Sequence, residues 1–169
     1  MAGSDGVIRG PAGDGRVSAV AHEDIADVAV AVLSGEGHDG AVYDVTGPEA
    51  LTPAEAAEEL SRFAGRTLRY VPETREESCA SRAGYGAEDW EVTGWVTSYE
   101  AVAVGEMSAV SDVVSHLTDR PARSFGEYLT EHPSSYVICC PVAEQAGSSI
   151  RTYAGRVAAL FRVVDDTCP

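Results

Sequence analysis

With 169 residues, 44% of them hydrophobic, the chain is long enough to bury a core of its own. Its 12 basic residues are all arginine against 27 acids, and the net charge of −15 repels duplex DNA and anionic membrane surfaces. No run approaches the ~18 apolar residues of a membrane span, and no basic-then-apolar leader opens the sequence, so a cytoplasmic protein is expected.

The charge is unevenly spread. Residues 134–169 carry three acids (Glu144, Asp165, Asp166) and three arginines (Arg151, Arg156, Arg162), so the whole net charge of −15 lies in residues 1–133. Cysteines divide the other way, with Cys79 alone in the body and Cys139, Cys140 and Cys168 in the tail. Two compositions meet near Pro133, which divides the chain into a domain at 1–133 and a tail at 134–169.

In chain order, Arg16–Ala21 alternates β-branched residues and predicts a strand. Asp24 is a suitable N-cap, which predicts a helix over Ile25–Leu33. After the turn Gly35–Gly40 comes a second expected strand, Ala41–Thr46, ending at Gly47-Pro48. Thr52, with Pro53 and Glu55 behind it, predicts a helix to Ala64 stopped by Gly65. A third strand is expected at Thr67–Val71, and then the pattern becomes helical: Thr74–Ala83, Asp89–Val110, Asp112–Leu117, and Phe125–His132 capped by Ser124. Strands alternating with helices, followed by a helical cluster, indicate an α/β fold. In the tail, Tyr136–Cys140 is a candidate strand. Ile150, Tyr153, Val157, Leu160, Phe161 and Val164 mark one apolar face of a packing helix.

A glycine-rich stretch, Gly10-Pro-Ala-Gly-Asp-Gly15, raises the question of a dinucleotide site. Such a site needs strand, glycine loop and helix in that order, so that the helix N-terminus meets the diphosphate. Met1–Arg9 reads as too short and too polar for a buried strand, the spacing is not G-x-G-x-x-G, and Pro11 has no N–H to offer. The glycines are expected to form a turn, and no residue is assigned to cofactor binding.

The segments VIRGPAGDGRVSAVAHEDIADVAVAVL, GAVYDVTGPEALTPAEAAEELSRFAGRTLRYVPET and DWEVTGWVTSYEAVAVGEMSAVSDVVSHLTDRPARSFGEYLTEHP resemble the C-terminal half of NmrA-like proteins. These are atypical short-chain dehydrogenase relatives that include NAD(P)H:quinone oxidoreductase-like enzymes and redox-sensing regulators. The resemblance covers about Gly6 to Pro133 and is most specific at Tyr43–Pro48 and Ala21–Ala26. It implies a partial Rossmann-like parallel sheet made of the late strands, with a C-terminal helical lobe on the substrate side.

Three departures shape the expectation. The family's N-terminal half with its cofactor loop is missing from this sequence, no lysine is present for a Tyr-x-x-x-Lys pair, and Asp119 stands where glycine is expected after a helix. Residues 134–169 resemble nothing in the family. The expected activity is NAD(P)H-dependent reduction of a quinone-like acceptor, or sensing of the nicotinamide redox state, with the chain inactive by itself. The competing expectations are a non-catalytic interaction module, which dimerises or docks on a separate cofactor-binding half, and a product of gene truncation without selected function.

Among candidate site residues, the cluster His22-Glu-Asp lacks the second histidine of H-E-x-x-H, and Asp24 already has a capping duty. The fold rule for open α/β sheets nevertheless puts His22 beside a substrate cleft. Trp90, Trp95 and Tyr99 have helical spacing that fits core packing, while the resemblance implies that Trp95 and Tyr99 line a pocket for a flat apolar substrate. His22, Trp95 and Tyr99 are thus the substrate-binding candidates; no catalytic residue and no metal ligand is assigned. The cysteines lack a C-x-x-C or a histidine at ligand spacing, which excludes a zinc motif and leaves free thiols.

Overall fold

β1 (Val7–Gly10) begins the ordered elements of the computed structural model, which describes residues 5–137. This corrects the expectation of a polar, strandless start. Val7 and Ile8 are 1% and 4% exposed, and β1 pairs in parallel with β2 (Arg69–Pro72), from Val7 opposite Arg69 to Gly10 opposite Pro72. The polar residues around the apolar pair satisfy one another: Asp5 accepts the Val7 N–H at 3.0 Å and pairs with Arg9 at 2.7 Å. Two apolar side chains therefore suffice to bury this short strand.

Two other expected strands lie outside the sheet. Val17 exchanges both backbone hydrogen bonds with Leu51, at 2.9 and 3.0 Å, as an isolated antiparallel bridge, and the Ser18 N–H goes to the Met107 carbonyl at 3.0 Å. Ala41–Thr46 forms no strand, and the N–H groups of Val42 to Thr46 have no backbone acceptor among the described residues. Alternating β-branched residues set the local backbone preference; a ladder also needs a neighbouring strand, which that pattern does not encode. The third strand forms two positions further on, as β2.

The helices follow the capping signals closely. α2 (Pro53–Ala64) starts with a capping box: Thr52 Oγ1 accepts the Glu55 N–H at 3.1 Å, and the Glu55 carboxylate accepts the Thr52 N–H at 2.8 Å. It ends where Gly65 takes a left-handed φ of 65°. The same box starts α3 (Arg75–Arg82) at Thr74 and Glu77, and α6 (Phe125–Glu131) at Ser124 and Glu127. α4 (Asp89–Ala103) stops short of the expected Val110, and the chain then turns through Gly105 at φ 83°. α5 (Val113–Thr118) ends at Asp119 with φ 55°, the conformation glycine favours, at the position where the family resemblance leads glycine to be expected.

α1 (His22–Ser34) begins earlier than expected. Its N-cap is Ala21, and Asp24 sits inside the first turn with no exposed surface. α7 (Ser134–Val137) is a single helical turn, so Tyr136 does not open a strand; its ring instead packs on Phe63 with centroids 5.8 Å apart. The remainder of that expected strand, the tail helix, Cys139, Cys140 and Cys168 lie outside the described residues.

α2 packs on β2 and α6, α3 packs on α4 and α1 packs on α5. Ala12, Val17 and Val102 form a buried cluster covered by Tyr70, Tyr99 and Met107. Each fully buried Val or Leu side chain adds about 1.5–3 kcal/mol by leaving water. Among the described residues no helix is long and apolar enough to cross a membrane.

Candidate functional site

The glycine-rich stretch now has a definite structural role. It does follow a strand, but no helix starts directly behind it: residues 16–21 are non-helical, and α1 begins at His22. Two of its amides are engaged, with Ala12 N–H donating to Tyr70 Oη at 3.0 Å and Gly15 N–H to the Ala12 carbonyl at 2.9 Å. Tyr70 in turn donates its hydroxyl to the Gly10 carbonyl. A Cβ on Gly15 would lie 2.1 Å from the Val102 carbonyl oxygen, and one on Gly10 would lie 2.9 Å from the Tyr99 ring. The glycines let the loop press against α4. They do not fit a nucleotide diphosphate, because no helix N-terminus follows the loop, Pro11 has no N–H, and the Ala12 and Gly15 amides point back into the protein.

A cavity of about 340 Å³ opens on another part of the molecule. Its walls are residues 17–21 with His22 at the start of α1, residues 44–46, the turn after α4 and the start of α6. Val17, Val20, Val45, Met107 and Phe125 give it an apolar interior, and Ser18, His22, Thr46, Arg123 and Tyr128 supply polar groups. This is the usual composition of a small-molecule pocket, apolar surface with few polar groups to orient a ligand.

Hydrogen bonds between loops hold these walls together. Ser18 Oγ donates to the Ala109 carbonyl at 2.6 Å, and the Ser111 N–H donates to Thr46 Oγ1 at 2.8 Å. Gly47 allows the closest approach, since a Cβ there would lie 2.0 Å from the Ala19 carbonyl oxygen. The Gly47 N–H donates to the Ser18 carbonyl at 3.4 Å.

The fourth wall is anchored by Asp24. Its carboxylate accepts the Arg123 N–H at 2.8 Å and Nη1 of Arg120 at 2.8 Å, and it also pairs with the Arg123 guanidinium. Arg123 Nε reaches Glu131 at 2.9 Å, and Arg120 additionally pairs with Asp27. These bonds fix the segment entering α6 against the start of α1 and so set the positions of Phe125 and Tyr128. Burial pushes the Tyr128 phenol up from its ordinary 10.0, and Glu23 adds to the shift.

The substrate-binding candidates separate. His22 is exposed and lines the cavity. Tyr99 covers Gly10 and belongs to the core cluster, with the Arg82 guanidinium 5.6 Å from its ring centroid. Burial raises its phenol pKa above the ordinary 10.0. Trp95 is half-buried on α4, away from this lining. Asp24 serves as an ion-pair anchor in place of the expected cap, while Glu23 faces His132 at 3.2 Å. No group of three or more His, Cys, Asp or Glu side chains is arranged for a metal ion among the described residues.

Ser18, Asp44, Thr46, Phe125 and Tyr128 escape sequence reasoning because the loops that gather them are distant in the chain. One signal was present: the capping box at Ser124–Glu127 fixes where α6 begins, and therefore which face Phe125 and Tyr128 share.

No family model matches the chain. It is 38% identical over 126 residues to the NAD(P)H azoreductase of Xenophilus azovorans, covering 75% of this chain and 44% of that protein. It is 39% identical over 137 residues to the (4-alkanoyl-5-oxo-2,5-dihydrofuran-3-yl)methyl phosphate reductase of Streptomyces griseus, covering 79% of this chain and 47% of that one. The NADPH-dependent quinone oxidoreductase of Escherichia coli has a similar fold, with a TM-score of 0.72 and 28% identity over 77% of this chain and 47% of that structure. That enzyme has also been solved with NADPH. The chain thus spans about half the length of the curated relatives it matches, and its α/β fold is shared with NADPH-dependent oxidoreductases.

Proposed function

We propose that these residues form the acceptor-binding part of an NAD(P)H-dependent reductase, and that the cavity beside His22 takes a quinone-like acceptor. The supporting observation is the cavity itself: about 340 Å³, apolar inside and polar at a few points, in a chain similar to quinone and azo reductases. In this reading the apolar walls exclude water from a flat acceptor ring. His22 at the mouth and the Tyr128 hydroxyl on the α6 wall are the groups placed to hydrogen-bond its oxygens. NAD(P)H supplies the hydride in the related enzymes' type of reaction, and the glycine loop of this chain does not fit it.

Two titrations test the reading. An NMR titration with a soluble quinone is expected to shift signals of residues 17–22, 44–46 and α6, and their silence would overturn it. Calorimetry with NADPH is expected to give no micromolar binding by the 169-residue chain. A micromolar isotherm would overturn the assignment of the glycine loop to packing alone.

A further inference from the structure

We infer that Asp44 and Glu106 make this cavity selective for uncharged or cationic acceptors over anionic ones, an inference that rests on the cavity being an acceptor pocket. Four residues of its lining besides Tyr128 can carry charge: His22, Asp44, Glu106 and Arg123. The Arg123 cation is already matched, because its guanidinium pairs with the fully buried Asp24 and, at 2.9 Å, with Glu131. Asp44 and Glu106 have no cationic partner among the described residues, and both are exposed at the opening. The net charge of the chain, −15, has the same sign. An entering anion therefore meets two unmatched carboxylates and one arginine whose charge is spent. A cation or a neutral ring meets no such opposition.

Repulsion between exposed charges is modest and is screened by salt, which separates it from steric rejection. The probes are one ring system with three substituents: hydroxymethyl, trimethylammoniomethyl and sulfonate derivatives of anthraquinone, titrated by NMR into the full chain. At about 0.01 M salt, where the screening length is ~30 Å, the sulfonate is expected to bind at least about fivefold more weakly than the hydroxymethyl compound. At about 1 M salt, where it is ~3 Å, that gap should close to within about twofold. The double variant Asp44→Asn with Glu106→Gln should narrow the gap at low salt. The single variants Asp44→Asn and Glu106→Gln should each narrow it in part, which tests the two carboxylates if the double variant misfolds; an unchanged gap in folded variants overturns the inference. Equal binding of neutral and sulfonated compounds, or a gap that salt leaves untouched, overturns this inference while leaving the pocket standing. Binding of none of the three overturns the pocket reading and this inference with it.

Discussion

A carboxylate without exposed surface loses its hydration, and Asp24 regains that energy from two arginines and one backbone N–H. Replacing it leaves Arg120 and Arg123, each partly exposed, with fewer partners and unfastens the segment that enters α6. Asp24→Asn is expected to lower unfolding free energy by about 2–4 kcal/mol in urea. Asp39→Asn, at an exposed position, should change it by less than about 0.5 kcal/mol. His22 lies two residues earlier in the same first turn of α1 but has a different duty. Being exposed at the cavity mouth, it contributes no core packing, so His22→Ala should leave stability within about 0.5 kcal/mol. The same change should weaken quinone binding by about fivefold, the loss of one hydrogen bond of about 1 kcal/mol, read from the NMR titration.

At the scale of elements, the capping boxes link helix starts to pH. The Thr52 N–H, followed by Arg16, holds the Glu55 carboxyl below its ordinary 4.5, and the Ser124 N–H and hydroxyl do the same for Glu127. A carboxyl depressed on folding stabilises the native state fully above its unfolded pKa, and that contribution disappears as pH falls through the folded value. Stability should therefore be flat above 4.5 with respect to these two groups and decline below it. Acid titration followed by circular dichroism should show a shallower decline in the variant carrying Glu55→Gln and Glu127→Gln. The same boxes explain what was legible in the sequence. Thr52 and Ser124 announced their helices because capping is settled within a few residues, whereas Asp119, read as a departure from an expected glycine, nevertheless takes the left-handed turn. Strands were misjudged because pairing is decided by distant segments: Val7 and Ile8 found β2, while Arg16–Ala21 and Ala41–Thr46 found loops. Asp24 was misassigned for a related reason, since its partners stand about a hundred residues away, at separations of 96 and 99.

For the whole molecule, the cavity is bounded largely by loops joined to one another by a few hydrogen bonds centred on Ser18, Thr46 and Ser111. The amides of Val42 to Thr46 lack backbone acceptors among the described residues, although this stretch supplies one wall. Such amides should trade their hydrogens for deuterium almost as fast as an unstructured peptide, whereas those within α2 should be slowed by its ladder. Mass spectrometry of deuterated peptides is expected to show full labelling of 42–46 at the earliest time points. That edge is therefore a built-in reporter: a small molecule settling beside Asp44 and Thr46 would shield those hydrogens, making occupancy visible without a dye, a cofactor or any turnover.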